Sequence, residues 1–151
     1  MKKALIAGLL ILALCLSMAA CGGSADDPAS PEAAVDLSTA AGKLAVLGFD
    51  EKDLLLTSQD SIDLDKDGDF TLHTTASYED ACKALYDACK KASDDGEVRD
   101  YWTEAPIEFS FTDEYMIWYG YNRDGEFENV AVSPIWSDQE TGVTDYLLQW
   151  H

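Results

Sequence analysis

The hydrophobic positions of the chain change period along its length, and each change marks an element. Leu37, Ala40, Ala41, Leu44 and Leu47 recur at spacings of three and four, the stripe of an amphipathic helix. Ser30-Pro31-Glu32 ahead of them supplies a capping hydroxyl, a proline at the first helical position and an acid in the first turn, and Gly48 supplies a stop. The pattern predicts a helix from residue 31 to residue 47. Leu54-Leu55-Leu56 is a short apolar run, after which Ile62 and Leu64, then Phe70 and Leu72, alternate around the polar stretch Asp65 to Asp69. That alternation predicts a β-hairpin.

A second helix is expected from Ser77, with Asp80 placed as in a capping box and Tyr78, Cys82, Leu85, Cys89 and Ala92 on one stripe. Ser93-Asp94-Asp95-Gly96 breaks it. Beyond residue 100 the period is two: Ile107, Phe109 and Phe111 alternate with polar residues, and Tyr115, Ile117, Tyr119 and Tyr121 alternate with Met116 and Trp118. Asn122-Arg123-Asp124-Gly125 has the composition of a hairpin turn. A third strand is expected from Glu126 to about Ile135, and a fourth from Val143 to Trp150, although Asp145 to Trp150 also admits a helical turn. The order helix, hairpin, helix, four-stranded meander predicts an α+β fold over residues 31–151, two helices packed on a mainly antiparallel sheet.

Charge narrows the partners. Asp and Glu number 29 against 10 Lys and Arg, for a net charge of −19. No basic stretch follows the first three residues, so a nucleic-acid partner is excluded, because phosphate contacts need clustered Lys and Arg.

Met1-Lys2-Lys3 precedes an uncharged run from Ala4 to Ala20, a positive region leading into an apolar one as in an export signal. Its end, Leu16-Ser17-Met18-Ala19-Ala20-Cys21-Gly22, resembles the lipobox of bacterial lipoprotein precursors, a resemblance covering residues 1–21 only. It implies a signal peptide over residues 1–20, cleavage before Cys21, a diacylglycerol on the Cys21 thiol, and a protein anchored by lipid at the extracytoplasmic face of the cell membrane. An uncleaved anchor is the alternative, since a spanning helix needs about 17–25 residues. Residues 21–30 then form the lipidated cysteine and a small, polar tether. The remaining Cys82 and Cys89 lie seven apart in a helical pattern, about 10.5 Å along the axis, too far for a disulfide. Both are expected to be unpaired core residues.

Candidate chemistry is thin. Asp63, Asp65, Asp67 and Asp69 with Gly68 match the first half of the calcium-loop pattern D-x-D-x-D-G. Thr74 stands at the twelfth position, where that loop uses a bidentate Glu. The same residues read as an Asp-Gly hairpin turn with solvated carboxylates. Aromatic residues crowd the second half, 12 of 16 lying from residue 101 onward. Tyr115, Trp118, Tyr119 and Tyr121 on one strand are candidate ligand-binding residues, or core beneath the helices. His73 and His151 are the only histidines and have no metal spacing, and no serine or cysteine has a nucleophile pattern. His73 reads as a polar, strand-exposed residue.

The expectation is a non-catalytic binding or interaction module, lipid-anchored, with an acidic surface and an aromatic sheet that meets a protein, peptide or glycan. It uses no cofactor. The alternative is a calcium-dependent module ordered through Asp63–Asp69.

Overall fold

The computed structural model of the chain describes residues 35–113 and 115–151. The expectations for the signal segment, Cys21, the tether and the helix start at Ser30-Pro31 lie outside the described residues. Helix α1 (Ala40–Val46) begins at Thr39, whose hydroxyl accepts the Gly42 N–H at 3.1 Å and donates to the Asp36 carbonyl at 2.9 Å. Residues 35–39 are not helical, which corrects the expected helix over 31–47. Asp36 accepts from the backbone and hydroxyl of Ser38, and this local turn competes with the helix. Leu37 is thereby left exposed at the surface, off the stripe assigned to it.

Leu54-Leu55-Leu56 is not one extended run. Asp50 caps a single helical turn, α2 (Glu51–Leu54), that buries Leu54. The Asp60 carboxylate then accepts the Leu56 and Thr57 N–H groups at 2.8 and 2.9 Å and turns the chain into the sheet.

The hairpin of β1 (Ser61–Leu64) and β2 (Phe70–Thr74) stands as the alternation predicts. So does helix α3 (Tyr78–Ala92): the Ser77 hydroxyl accepts the Asp80 N–H at 3.1 Å, acids occupy the first turn, and Lys90 and Lys91 the last, where they complement the helix dipole. Its inner stripe, Cys82, Leu85 and Cys89, is fully buried.

The two-residue strand β3 (Arg99–Asp100) was not foreseen. It leads, through residues 101–116, to β4 (Ile117–Arg123), β5 (Glu126–Ser137) and β6 (Thr144–Trp150). Asp124 and Gly125 both have positive φ, 53° and 83°, the requirement of the tight turn between β4 and β5. The meander has three strands where four were expected. Ile107, Phe109 and Phe111 do alternate in burial, but they form a strap along α3, with Phe109 on Tyr86 and Phe111 on Tyr78 at 5.6 and 5.7 Å between ring centroids.

All six strands form one antiparallel sheet in the order β1-β2-β6-β5-β4-β3. Alternate residues Ile62, Phe70, Leu72, Tyr119, Tyr121, Val130, Val132, Tyr146 and Leu148 share one core with Leu44, Leu54 and Leu85 of the helices. The described helices therefore cover one face of the sheet. The intervening residues point to the other face, which is the surface of interest. Among the described residues, no helix is long and apolar enough to cross a membrane.

Candidate functional site

Strand register determines which side chains meet on the open face, because residues directly opposite in an antiparallel pair share a side. One row runs Ser61, His73, Asp145, Trp136 across β1, β2, β6 and β5. His73 Nδ1 lies 2.6 Å from Asp145 Oδ1, and Nε2 lies 3.1 Å from Asp63 Oδ2. The ring is thus held between two carboxylates. Partial burial works against the imidazolium, but the hydrogen bonds and charges of Asp145 and Asp63 outweigh it and raise the His73 pKa above its ordinary value.

The register shifts at a bulge between Pro134 and Trp136, and bulges at sheet margins re-aim side chains. Ile135 is 52% and Trp136 57% exposed. Where the chain enters β4, Tyr115 is 70% and Met116 43% exposed. The Tyr78 hydroxyl holds these segments together, lying 2.8 Å from the Val132 carbonyl and 3.3 Å from that of Tyr115. Large apolar side chains exposed side by side with a polar border mark interaction surfaces in soluble proteins.

The far half of the face is built differently. Trp118 stacks on Tyr101 at 4.8 Å and 28° and leans against His151 at 5.1 Å and 33°. His151 is paired with Asn129 on the other side of β5, so the two rings flank the indole and the indole covers Ala131, which is 1% exposed. Trp118 is thus half-buried in contact with two other rings.

The four candidate aromatics therefore separate. Tyr115 is exposed, Trp118 is packed within a ladder, and Tyr119 and Tyr121, 2% and 0% exposed, belong to the core under the helices. Burial raises the pKa of both buried hydroxyls, and that of Tyr121 donates to Glu128 at 2.9 Å. Their parity on β4 turns them toward α3, so they are not ligand-facing residues.

The Asp63–Asp69 stretch is the end of β1 and the turn that follows it, and its carboxylates do not converge. Asp65 Oδ1 accepts the N–H groups of Asp67, Gly68 and Asp69 at 2.8, 2.8 and 3.0 Å. Burial acts in the opposite sense, yet these donors hold the Asp65 carboxyl below the usual range. Asp63 is engaged with His73, and Asp69 accepts from Gln149 at 2.9 Å. Gly68 adopts φ 96°, a conformation open to glycine. Among the described residues, no group of three or more His, Cys, Asp or Glu side chains is arranged to hold a metal ion.

Sequence reasoning treated His73 as a solvated strand residue and did not single out Asp145. No local signal joins two residues 72 positions apart; only the pairing of β2 with β6 does. Comparison of the chain with protein-family models, with curated proteins and with solved structures finds no match.

Proposed function

We propose that this chain is an exported, lipid-anchored binding module without catalytic activity, tethered through Cys21 and meeting its partner with the open face of its sheet. The observation that carries the binding reading is the exposure of Trp136 and Ile135 at the β5 bulge and of Met116 where the chain enters β4, at one end of a face that the described helices leave uncovered. Burying such side chains against a partner releases about 25 cal/mol per Å² of apolar area, which gives this surface a reason to be occupied. The anchor reading rests on the positive start, the apolar run and the small residues before Cys21. With its −19 charge, the module would be held off an anionic bilayer at the end of its tether.

Metabolic labelling with a fatty acid tests the anchor. Label should enter the parent and be absent from Cys21→Ala, and label persisting in that variant overturns lipidation at Cys21. A photo-crosslinking residue placed in living cells at Trp136, at Tyr101 and, on the helical side, at Lys90 tests the binding face. Adducts from the open face that are missing from Lys90 support the reading, and the absence of adducts from every position overturns it.

A further inference from the structure

We infer that the end of the open face around the β5 bulge docks a basic segment of a partner polypeptide, with apolar side chains on Trp136 and Ile135 and a Lys or Arg side chain at Asp145 and Asp63. The inference rests on the binding reading above and names its surface and partner. The occupant follows from charge. Asp145 is opposite Trp136 in the cross-strand row, and Asp63 lies at the far side of the His73 ring on the edge strand, so an acidic stretch of the face runs from the indole to the sheet edge. A guanidinium or ammonium beside an indole and a neighbouring carboxylate gains both ring and charge attraction.

Other occupants fit less well. A second copy of the chain would bring another −19 charge to an acidic surface, and an anionic lipid headgroup meets the same repulsion. A glycan would stack on Trp136 as well, but it brings no cation to the carboxylates of Asp145 and Asp63. The exposed Ile135, next to Trp136 at the bulge, suits an aliphatic side chain.

The site also contains its own competitor. Asp63 on β1 and Asp145 on β6 are the charged groups that face His73 from the strands packed against it; its other neighbours in the rows, Ser61, Thr71, Trp136 and Leu147, are uncharged. Protonated, the imidazole neutralises part of the carboxylate pair that a partner's cation would use. Neutral, it leaves two uncompensated acids. A basic partner therefore binds more tightly as pH rises through the His73 transition.

The test uses the full chain as the cell produces it, titrated into a fluorescein-labelled octapeptide alternating arginine and leucine, with a glutamate-for-arginine peptide as control, read by anisotropy at physiological salt. Saturable binding of the arginine peptide is expected, weakened about tenfold by Trp136→Ala and by Asp145→Asn, since a few central residues carry most of an interface's affinity. Asp87→Asn on α3 and Glu126→Gln at the β4–β5 turn should stay within about twofold, as remote charges are screened. The parent should bind several-fold more tightly at pH 8 than at pH 5.5, and His73→Gln should lose that dependence. Equal losses in all the acidic variants, equal binding of the glutamate peptide, or no saturable binding overturns the inference. In the crosslinking experiment, adducts from Tyr101 but not from Trp136 overturn the inference and leave the binding reading standing, whereas no adducts at all overturn both.

Discussion

His73 Nδ1 and Asp145 Oδ1 face each other at 2.6 Å across the β2–β6 ladder, while the other ring nitrogen reaches Asp63 on β1. One side chain thus ties three strands on the face that the described helices leave uncovered. The folded pKa of His73 is raised above the unfolded value of about 6.5. Its contribution to stability is therefore fully present below about pH 6.5 and is lost as pH rises through the folded pKa. His73→Gln should cost on the order of 1 kcal/mol at pH 6, with a smaller difference at pH 9. Urea melts of parent and variant at the two pH values check this, and a difference that grows with pH would contradict the pairing.

At the Asp-rich turn, Asp65→Ala removes the acceptor of three N–H groups. It should lower the melting temperature by roughly 2–5 °C, as loss of a capping side chain does. Asp65→Asn keeps an acceptor oxygen and should recover most of the loss. Calcium at 5 mM should leave the parent's melting temperature unchanged. A calcium-dependent rise that disappears in Asp65→Asn would show a cation site and overturn the reading of this stretch as a turn.

Cys82 and Cys89 are free and fully buried on α3. Burial pushes the Cys82 thiol up to about 12 and moves that of Cys89 upward as well, so neither forms the reactive thiolate near neutrality. A thiol reagent at pH 8 should label neither group in the native protein on the minute timescale, and both in 8 M urea. Fast native labelling of either cysteine would contradict the packing of α3 on the sheet.

The hydroxyls of two core tyrosines make a contrasting pair. Tyr86 donates to the Ile107 carbonyl at 2.9 Å, whereas Tyr119, its ring 5.6 Å away, carries a buried hydroxyl with no hydrogen-bond partner among the described residues. Tyr86→Phe should cost about 1 kcal/mol, and Tyr119→Phe should be neutral or stabilising by up to about 1 kcal/mol, since an unsatisfied buried polar group is itself unfavourable. Denaturant melts of the two variants decide it, and a loss in Tyr119→Phe comparable to that in Tyr86→Phe would overturn the contrast.

What could be read in advance follows from how locally each feature is encoded. Ser77 with Asp80 sets the start of α3, and Asp124-Gly125 sets a tight turn, by hydrogen bonds and dihedral angles a few residues long. Alternation at Ile107, Phe109 and Phe111 predicts a sheet strand, and the structure shows alternating burial without one. Period two does not say whether the covering partner is a strand or a helix, and here the partner is α3. Parity on β4 likewise separates Tyr119 and Tyr121 from Trp118, but not which side the helices take. The bridge between Asp63, His73 and Asp145 depends on long-range strand order, and no spacing along the chain encodes it.

Strand β6 lies between β2 and β5 and supplies both of their ladders. Without it the sheet is two separate ribbons, β1–β2 and β3–β4–β5, and isolated hairpins are marginal in water. A chain that emerges from its N-terminal end, at a ribosome or through a membrane channel, accordingly holds no complete sheet until residues 144–150 arrive. Until then its ribbons lack the strand that joins them, and the arrival of β6 decides when the described sheet closes.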